Sequence, residues 1–233
     1  RCEFITTEEE LEELASKYCV VVDLLFEGLS PIFGYEYYLP KSRCSDVEKA
    51  ETVNGRIAAA KRCRTQMTEI DYLLMKKTYT WKSCTILWCY SYERGRLPSE
   101  FCRYVAELYQ KKTQIKGIKG REREYDRVKE DLCSLYGMMV MALDRDQYEY
   151  DSENGCWKEP QKADIAEAVK EDNAKFARFT YYAWELYVAA HARRRLWNAL
   201  INIREDYVYV HTDCIKFRHL QSHSAYFIEY NNR

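Results

Sequence analysis

Two sets of residues in this chain have types and spacing suited to chemistry. The first is Tyr209-Val210-His211-Thr212-Asp213-Cys214, preceded by Asp206-Tyr207-Val208 and followed by Ile215-Lys216-Phe217. Two short runs rich in Val, Tyr and Ile flank a polar tetrapeptide that neither run can absorb. This predicts a β-hairpin with a carboxylate at its tip. An acid on a tight turn between two strands has its backbone fixed by the sheet, which suits a metal ligand. On physics alone, Asp at such a tip is first of all a turn former. The second set is Lys129, Cys133 and Tyr136, which at i, i+4 and i+7 share one face of a helix. An ammonium near an aromatic on one face can hold a phosphate and stack a sugar or base. The same residues also describe a solvated helix carrying ordinary salt pairs. A third grouping, His191, His211 and Cys214, lacks the ligand spacing a zinc site needs.

The elements that must position these groups follow from local signals. Thr7-Glu-Glu-Glu10 reads as a capping box, Thr-x-x-Glu, opening a short acidic helix to about Lys17. Cys19 to Phe26 is β-branched and aromatic and predicts a strand, punctuated by Gly28 and Pro31. Tyr35 to Leu39 predicts another short strand, closed by Pro40. Asn54-Gly55 is a strong hairpin signal with strands on both sides. Thr68-Glu-Ile-Asp71 opens a helix with apolar positions at Ile70, Leu73, Leu74 and the stem of Lys77, ending near Tyr79. Thr85 to Tyr92 returns to strand composition.

Leu97-Pro98-Ser99-Glu100 starts a helix whose apolar spacing runs through Phe101, Val105, Leu108 and Tyr109 to Lys112. Gly117 and Gly120 break it, and a second helix runs from about Arg121 through Tyr136, forming a helical hairpin. Between Arg103 and Lys129 basic residues outnumber acids nine to four, so the hairpin is a local positive patch. Gln147–Tyr150 and Trp157–Lys158 predict a β-hairpin turned at Ser152 to Gly155. Ala163 to Arg178 and Phe179 to Leu200 predict two helices, the second aromatic-rich and carrying Arg193, Arg194 and Arg195. Those arginines could meet a DNA backbone or answer the helix dipole.

Composition bounds the function class. The net charge of −1 does not announce a nucleic-acid binder, so any positive field must be local. An apolar content of 47% suffices for a proper core. No apolar run approaches 18 residues and no signal peptide is present, so no membrane partner is expected. The ten cysteines show no C-x-x-C pair, and several sit in apolar runs as small hydrophobes, which fits a reducing cytoplasm. A start at Arg1 without methionine suggests a piece of a longer protein.

The run Lys129-x-x-x-Cys133-Ser134-Leu135-Tyr136-Gly137 resembles the K-x-x-x-N-S-x-Y-G motif of family B DNA polymerases, with Cys133 in place of Asn. Roughly seventy residues later, Tyr209 to Cys214 resembles their Y-x-D-T-D-S motif, with His211 for the first Asp and Cys214 for the Ser. The order, the spacing and the aromatic helix between match the protein-primed branch found in phages and linear mobile elements. The helix after Leu97-Pro98, with Tyr109-Gln-Lys-Lys-Thr113, is similar to the first fingers helix, and its phosphate-binding lysine aligns with Lys112.

The resemblance implies an α+β fold: an antiparallel palm sheet, a helical-hairpin fingers subdomain and β-rich insertions. Residues 1–85 would be a palm segment with the first, terminal-protein-region-like insertion. Residues 86–141 would be the fingers, 142–178 the second insertion and 179–233 the palm with the Asp213 hairpin. The implied activity is template-directed nucleotidyl transfer from a dNTP to a primer 3′-hydroxyl, in protein-primed viral DNA replication. Asp213 would bind the metals, Mg²⁺ or alternatively Mn²⁺, with His211 beside it as the substituted catalytic acid. Lys129 and Lys112 would contact the triphosphate, and Tyr136 and Cys133 the nucleotide. Ser134, Gly137, Tyr209, Thr212 and Arg193 would face DNA. Partners would be the DNA template-primer, dNTP and a terminal priming protein, in the cytoplasm of a host cell. The family's first palm motif does not occur in these residues, so the fragment alone is expected to be inactive. The competing expectation is a catalytically degenerate nucleic-acid-binding module of the same fold.

Overall fold

A computed structural model describes residues 5–139, 146, 148–162, 164–175, 182–211 and 214–232. The chain divides into two compact units: residues 1–95 with 187–233, and residues 96–186. The fold is α+β, as the sequence predicts.

The first unit is built on a wholly antiparallel sheet. Its central strand β1 (Cys19–Pro31) pairs with β4 (Arg56–Thr68) on one side and β6 (Ser83–Tyr92) on the other. Strands β2 (Cys44–Glu48) and β3 (Glu51–Val53) extend the β4 side, and the short β5 (Tyr79–Thr80) joins the far end of β1. Val20, Val22, Leu24 and Phe26 alternate along β1 and are fully buried, which is the period-two pattern of a strand whose one face is core. Asp23, between them, is also buried, because Arg64 and Gln66 of β4 close on its carboxylate. A buried charge held this way is paired and hydrogen-bonded, as burial requires.

The β3–β4 hairpin turns at Asn54 (φ 50°) and Gly55 (φ 74°), two left-handed residues in succession, as a type I′ turn demands. Gly28 does not punctuate β1: the strand continues through it to Pro31, and its φ is +65°. A Cβ there would lie 2.6 Å from Lys82 Cγ, but that side chain is flexible, so the backbone conformation sets the cost. Gly28→Ala is expected to lose about 1–2 kcal/mol in chemical denaturation. Adding Lys82→Ala should not restore it; full restoration would locate the cost in the clash instead.

Residues 35–39 form no strand. Only Pro40 makes a bridge, to Arg56, and the segment is held by other means. Arg56 Nη1 donates to the Tyr38 carbonyl (3.0 Å), and the Leu39 N–H to the Tyr79 hydroxyl (3.3 Å). With Tyr38 and Leu39 both buried, the apolar pattern reports packing rather than strand pairing.

Helix α1 (Glu8–Lys17) carries the predicted capping box of Thr7 and Glu10. Helix α2 (Glu69–Thr78) carries a second, of Thr68 and Asp71. Its buried face is Ile70, Tyr72, Leu74, Met75 and Thr78; Leu73, predicted as core, is exposed. In the second unit, α3 (Ser99–Ile115) and α4 (Glu122–Met139) pack as the predicted helical hairpin, tied near its loop by Lys111–Glu124 (3.4 Å). There too lie the hairpin β7 (Tyr150–Asp151) and β8 (Cys156–Trp157), and α5 (Ile165–Lys175). Gln147, Ala163 and residues 176–181, which the sequence places in these elements, lie outside the described residues.

Helix α6 (Tyr182–Ile203) begins in the second unit and ends in the first, where Trp197, Leu200 and Ile203 enter the core with Val22, Leu24 and Tyr72. Strands β9 (Tyr207–His211) and β10 (Cys214–Phe217) form the predicted hairpin, packed through Val210, Ile215 and Phe217. A final helix α7 (Leu220–Asn232), which the sequence reading did not separate, adds Phe227 to that packing. Among the described residues no helix is long and apolar enough to cross a membrane.

Candidate active site

The β9–β10 hairpin is anchored at its base. The Asp206 carboxylate is 2.7 Å from His219 Nδ1 and 2.7 Å from His223 Nε2, while the Arg218 N–H donates to the Asp206 carbonyl (2.8 Å). The two histidines hold the Asp206 carboxyl below the usual carboxylate range. Further along, the Tyr207 hydroxyl donates to Glu36 (2.7 Å). The strands then run in register, with Tyr209 opposite Lys216, Val210 opposite Ile215 and His211 opposite Cys214. Thr212 and Asp213, which join the strands in sequence and include the predicted metal ligand, lie outside the described residues.

His211 is exposed at the end of β9. Its ring lies parallel to that of Tyr209, with centroids 6.3 Å apart, and Lys216 Nζ sits 5.8 Å over the same tyrosine. Tyr209 thus has an imidazole and an ammonium as neighbours and is 46% exposed. His191 and Cys214 are likewise exposed, and the described residues contain no group of three or more His, Cys, Asp or Glu side chains able to hold a metal ion.

His211 and Val210 line a cavity of ≈ 420 Å³ that also borders Arg193, Leu196 and Trp197 of α6 and Glu36, Tyr38, Arg43 and Arg56. Behind it lies a buried network. Arg193 donates from Nε and Nη2 to the two oxygens of Asp71, each at 2.8 Å. Asp71 also accepts from the Tyr38 hydroxyl and from the Thr68 hydroxyl (3.0 Å). Burial by itself would raise the Asp71 pKa, but the Arg193 fork and the two hydroxyls outweigh it and hold the carboxyl below its ordinary value. Burial raises the Tyr38 hydroxyl, and the neighbouring Asp71 carboxylate raises it further, so it stays protonated and donates. Arg193, predicted to face DNA, therefore has two of its nitrogens on Asp71, a structural partner 122 residues away in sequence.

In the second unit, helix α4 presents Lys129, Cys133, Ser134, Tyr136 and Gly137 on exposed surface, while Val128 and Met139 are buried. The face predicted from the i, i+4, i+7 spacing is present. The Tyr136 hydroxyl donates to Glu185 of α6, which fixes the ring by its tip and leaves 41% of the residue accessible. Lys112 on α3 is half-buried, its Nζ 4.5 Å over the Tyr109 ring. The packed hairpin thus brings Lys112 and Lys129 into one unit; His211 belongs to the other.

The sequence reading missed Tyr38, Asp71, Glu36 and the Asp206–His219–His223 clamp. Asp71 was legible only as part of the run that opens α2, since nothing local marks its partner on α6. Tyr38 sat in a segment read as a strand.

No protein-family model matches the chain, and no curated protein matches it. Solved structures do. The chain is similar to "Phi29 DNA Polymerase, orthorhombic crystal form", at 15% identity and TM-score 0.58, over 92% of this chain and 33% of that one. It is similar to Phi29 DNA polymerase complexed with primer-template DNA and incoming nucleotide substrates, at 14% identity and TM-score 0.60, with coverage of 92% and 33%. It is similar also to the same polymerase complexed with single-stranded DNA, at 14% identity and TM-score 0.59, with coverage of 92% and 32%. The chain spans about a third of the length of those polymerases, and over nearly all of its own length it has a DNA-polymerase-like fold of palm and fingers type.

Proposed function

We propose that the chain is the palm-and-fingers part of a DNA-directed DNA polymerase of the protein-primed kind, acting in viral DNA replication in a host cytoplasm with a terminal priming protein. The observation that carries this reading is a pairing of fold with motif: a polymerase-like fold in which α4 exposes Lys129, Cys133 and Tyr136 while β9–β10 brackets Asp213.

Lys129, with Lys112, binds the triphosphate of the incoming dNTP as point charges against a polyanion. Tyr136, tethered through its hydroxyl, offers a flat face to the nascent base pair, with Cys133 beside it on the nucleotide side. Gly137 leaves room for a template base, and Ser134, Tyr209 and Thr212 lie along the DNA. Lys129→Ala in the complete enzyme is expected to raise the dNTP KM in primer extension about 10–100-fold, the worth of a charge-assisted hydrogen bond. An unchanged KM would remove Lys129 from the nucleotide site.

The described residues do not by themselves fit a magnesium pair, which wants hard oxygen ligands in an octahedron. In this reading Asp213, with carboxylates from elsewhere in the complete enzyme, would hold the divalent metals, which would supply Lewis-acid stabilisation. His211 brings a nitrogen to a position where the resemblance places an acid, and manganese accepts nitrogen more readily than magnesium does. His211→Asp in the complete enzyme is expected to raise the extension rate in Mg²⁺ relative to Mn²⁺. Equal rates in both metals before and after the change would show that residue 211 does not reach them.

The second reading is a nucleic-acid-binding module of the same fold without catalysis. It is favoured by the same two substitutions, His211 and Cys214, at the motif that carries the chemistry. Primer extension by the complete protein on a templated primer, with Mg²⁺ and with Mn²⁺, separates the two. The polymerase reading expects templated products, and the module reading expects binding and no extension.

A further inference from the structure

Two cysteines that play no part in the site described above meet across the sheet of the first unit. Cys44 opens β2 and stands opposite Thr65 of β4. Cys63 precedes Thr65 by two residues on the same strand, so all three side chains point to one face. That face is the core side: Cys63 is fully buried, and Cys44 packs half-buried against the same cluster. The Cys63 thiol donates to the Cys44 sulfur, and the Cys44 thiol donates in turn to the Pro40 carbonyl (3.4 Å).

The two thiols are unequal. The bond from Cys63, with help from the Thr65 hydroxyl and the Arg43 guanidinium, outweighs burial and holds the Cys44 thiol below its ordinary range. Cys63 is pushed up, by the bond it gives to Cys44 and then by burial. Burial also pushes up Cys19 and Cys84, Cys84 to about 12. Cys84 is out of reach of this pair, because Phe26 of β1 stands between it and Cys63 in register. A partly exposed, readily ionised thiol against a second, buried one is the arrangement of an attacking and a resolving cysteine.

The backbone allows the two sulfurs to join. Diagonal neighbours on adjacent strands have Cα atoms about 7–8 Å apart, slightly more than the roughly 4.4–6.8 Å that a disulfide spans. Strand β2 has room to close that difference: it ends the sheet path, and its register against β4 slips directly after Ser45.

We propose that Cys44 and Cys63 are a reversible thiol–disulfide pair, a modification site through which a low-molecular-weight disulfide ties β2 covalently to β4. The Cys44 thiolate attacks one sulfur of the small disulfide; the Cys44–sulfur bond forms, the reagent's own S–S bond breaks, and one small thiolate leaves. Cys63 then attacks the Cys44 sulfur, its proton passes to the second departing thiolate, and the mixed disulfide is replaced by the Cys44–Cys63 bond. Two protein thiols are oxidised and one small disulfide is reduced to two thiols. The product has no S–H at residue 44, so the hydrogen bond to the Pro40 carbonyl is lost as the strand is tied. In a reducing compartment the pair rests as thiols and forms the bond when the thiol pool is oxidised. This needs neither the sequence motifs nor the polymerase reading.

The test uses the whole reduced chain and bis(2-hydroxyethyl) disulfide, in native buffer and in concentrated urea. Remaining thiols are blocked with N-ethylmaleimide and the digest is mapped by mass without reduction. The expected product is a Cys44–Cys63 linked peptide lighter by two hydrogens, formed at least about ten-fold faster in native buffer than in urea and removed by dithiothreitol. Cys63→Ser, checked for an unchanged melting temperature, should accumulate the mixed disulfide at Cys44, since nothing resolves it. Cys44→Ser should leave Cys63 unmodified over the same period. A stable mixed disulfide at Cys44 of the natural chain overturns the proposal, as does linkage of Cys44 to another cysteine. A Cys44–Cys63 bond that forms as fast in urea as in native buffer also overturns it, because the folded sheet would then not be what brings the thiols together.

Discussion

Asp71→Ala is expected to lower the unfolding free energy of the sheet-bearing unit by about 3–5 kcal/mol, the cost of breaking a buried ion pair from one side. The reason is what the change leaves behind. The Arg193 guanidinium would keep its charge in a site where its side chain is only 21% exposed, with neither Nε nor Nη2 matched. The Tyr38 hydroxyl would lose its acceptor, and α2 would lose the N3 half of its capping box, worth about 1 kcal/mol by itself. Replacing both members, Asp71→Leu with Arg193→Met, should cost less than Asp71→Ala alone, since no unpaired charge remains. A loss below about 1 kcal/mol for Asp71→Ala in urea would contradict the network as described.

The same pair sets an acid response. The folded-state pKa of Asp71 is lower than its ordinary 3.8, so the stability it contributes is fully present above that value. It is lost as pH falls from about 3.8 through the folded value. Asp71→Asn should therefore be less stable than the natural protein at neutral pH, and the gap should narrow only below pH 4.

Legibility of the chain depended on how local the signal was. The Thr7 capping box, the start of α2 at Thr68, the Asn54-Gly55 turn, the α3–α4 hairpin and the β9–β10 strands could be read in sequence because each rests on contacts within a few residues. The segment 35–39 misled because aromatic density there serves burial: Tyr38 meets the edge of Trp197 with centroids 5.2 Å apart, and pairing a neighbour strand is not what orders it. Leu73 misled because the helix turns Tyr72 and Met75 inward instead, and spacing alone does not say which stripe faces the sheet. The Arg193–Asp71 pair was not legible because its partners are 122 residues apart in sequence. The lysine–tyrosine face of α4 was legible for the opposite reason: helical periodicity alone puts its residues together.

The largest functional effect is expected at Asp213. If this carboxylate carries the metals, removing it withdraws several kcal/mol of charge stabilisation from nucleotidyl transfer. That corresponds to a fall in rate on the order of a thousand-fold. DNA affinity should change little, because Lys129, Lys112 and the remaining α4 face are untouched. Asp213→Ala should also leave stability nearly unchanged, since the hairpin is held by Asp206, Tyr207 and the Val210 and Ile215 packing. The direct measurement is single-turnover primer extension by the complete enzyme and its Asp213→Ala variant, at saturating dNTP and Mg²⁺. A rate lower by about a thousand-fold with unaltered primer-template affinity is the predicted result; an Asp213→Ala enzyme that extends primers at the natural rate would contradict it.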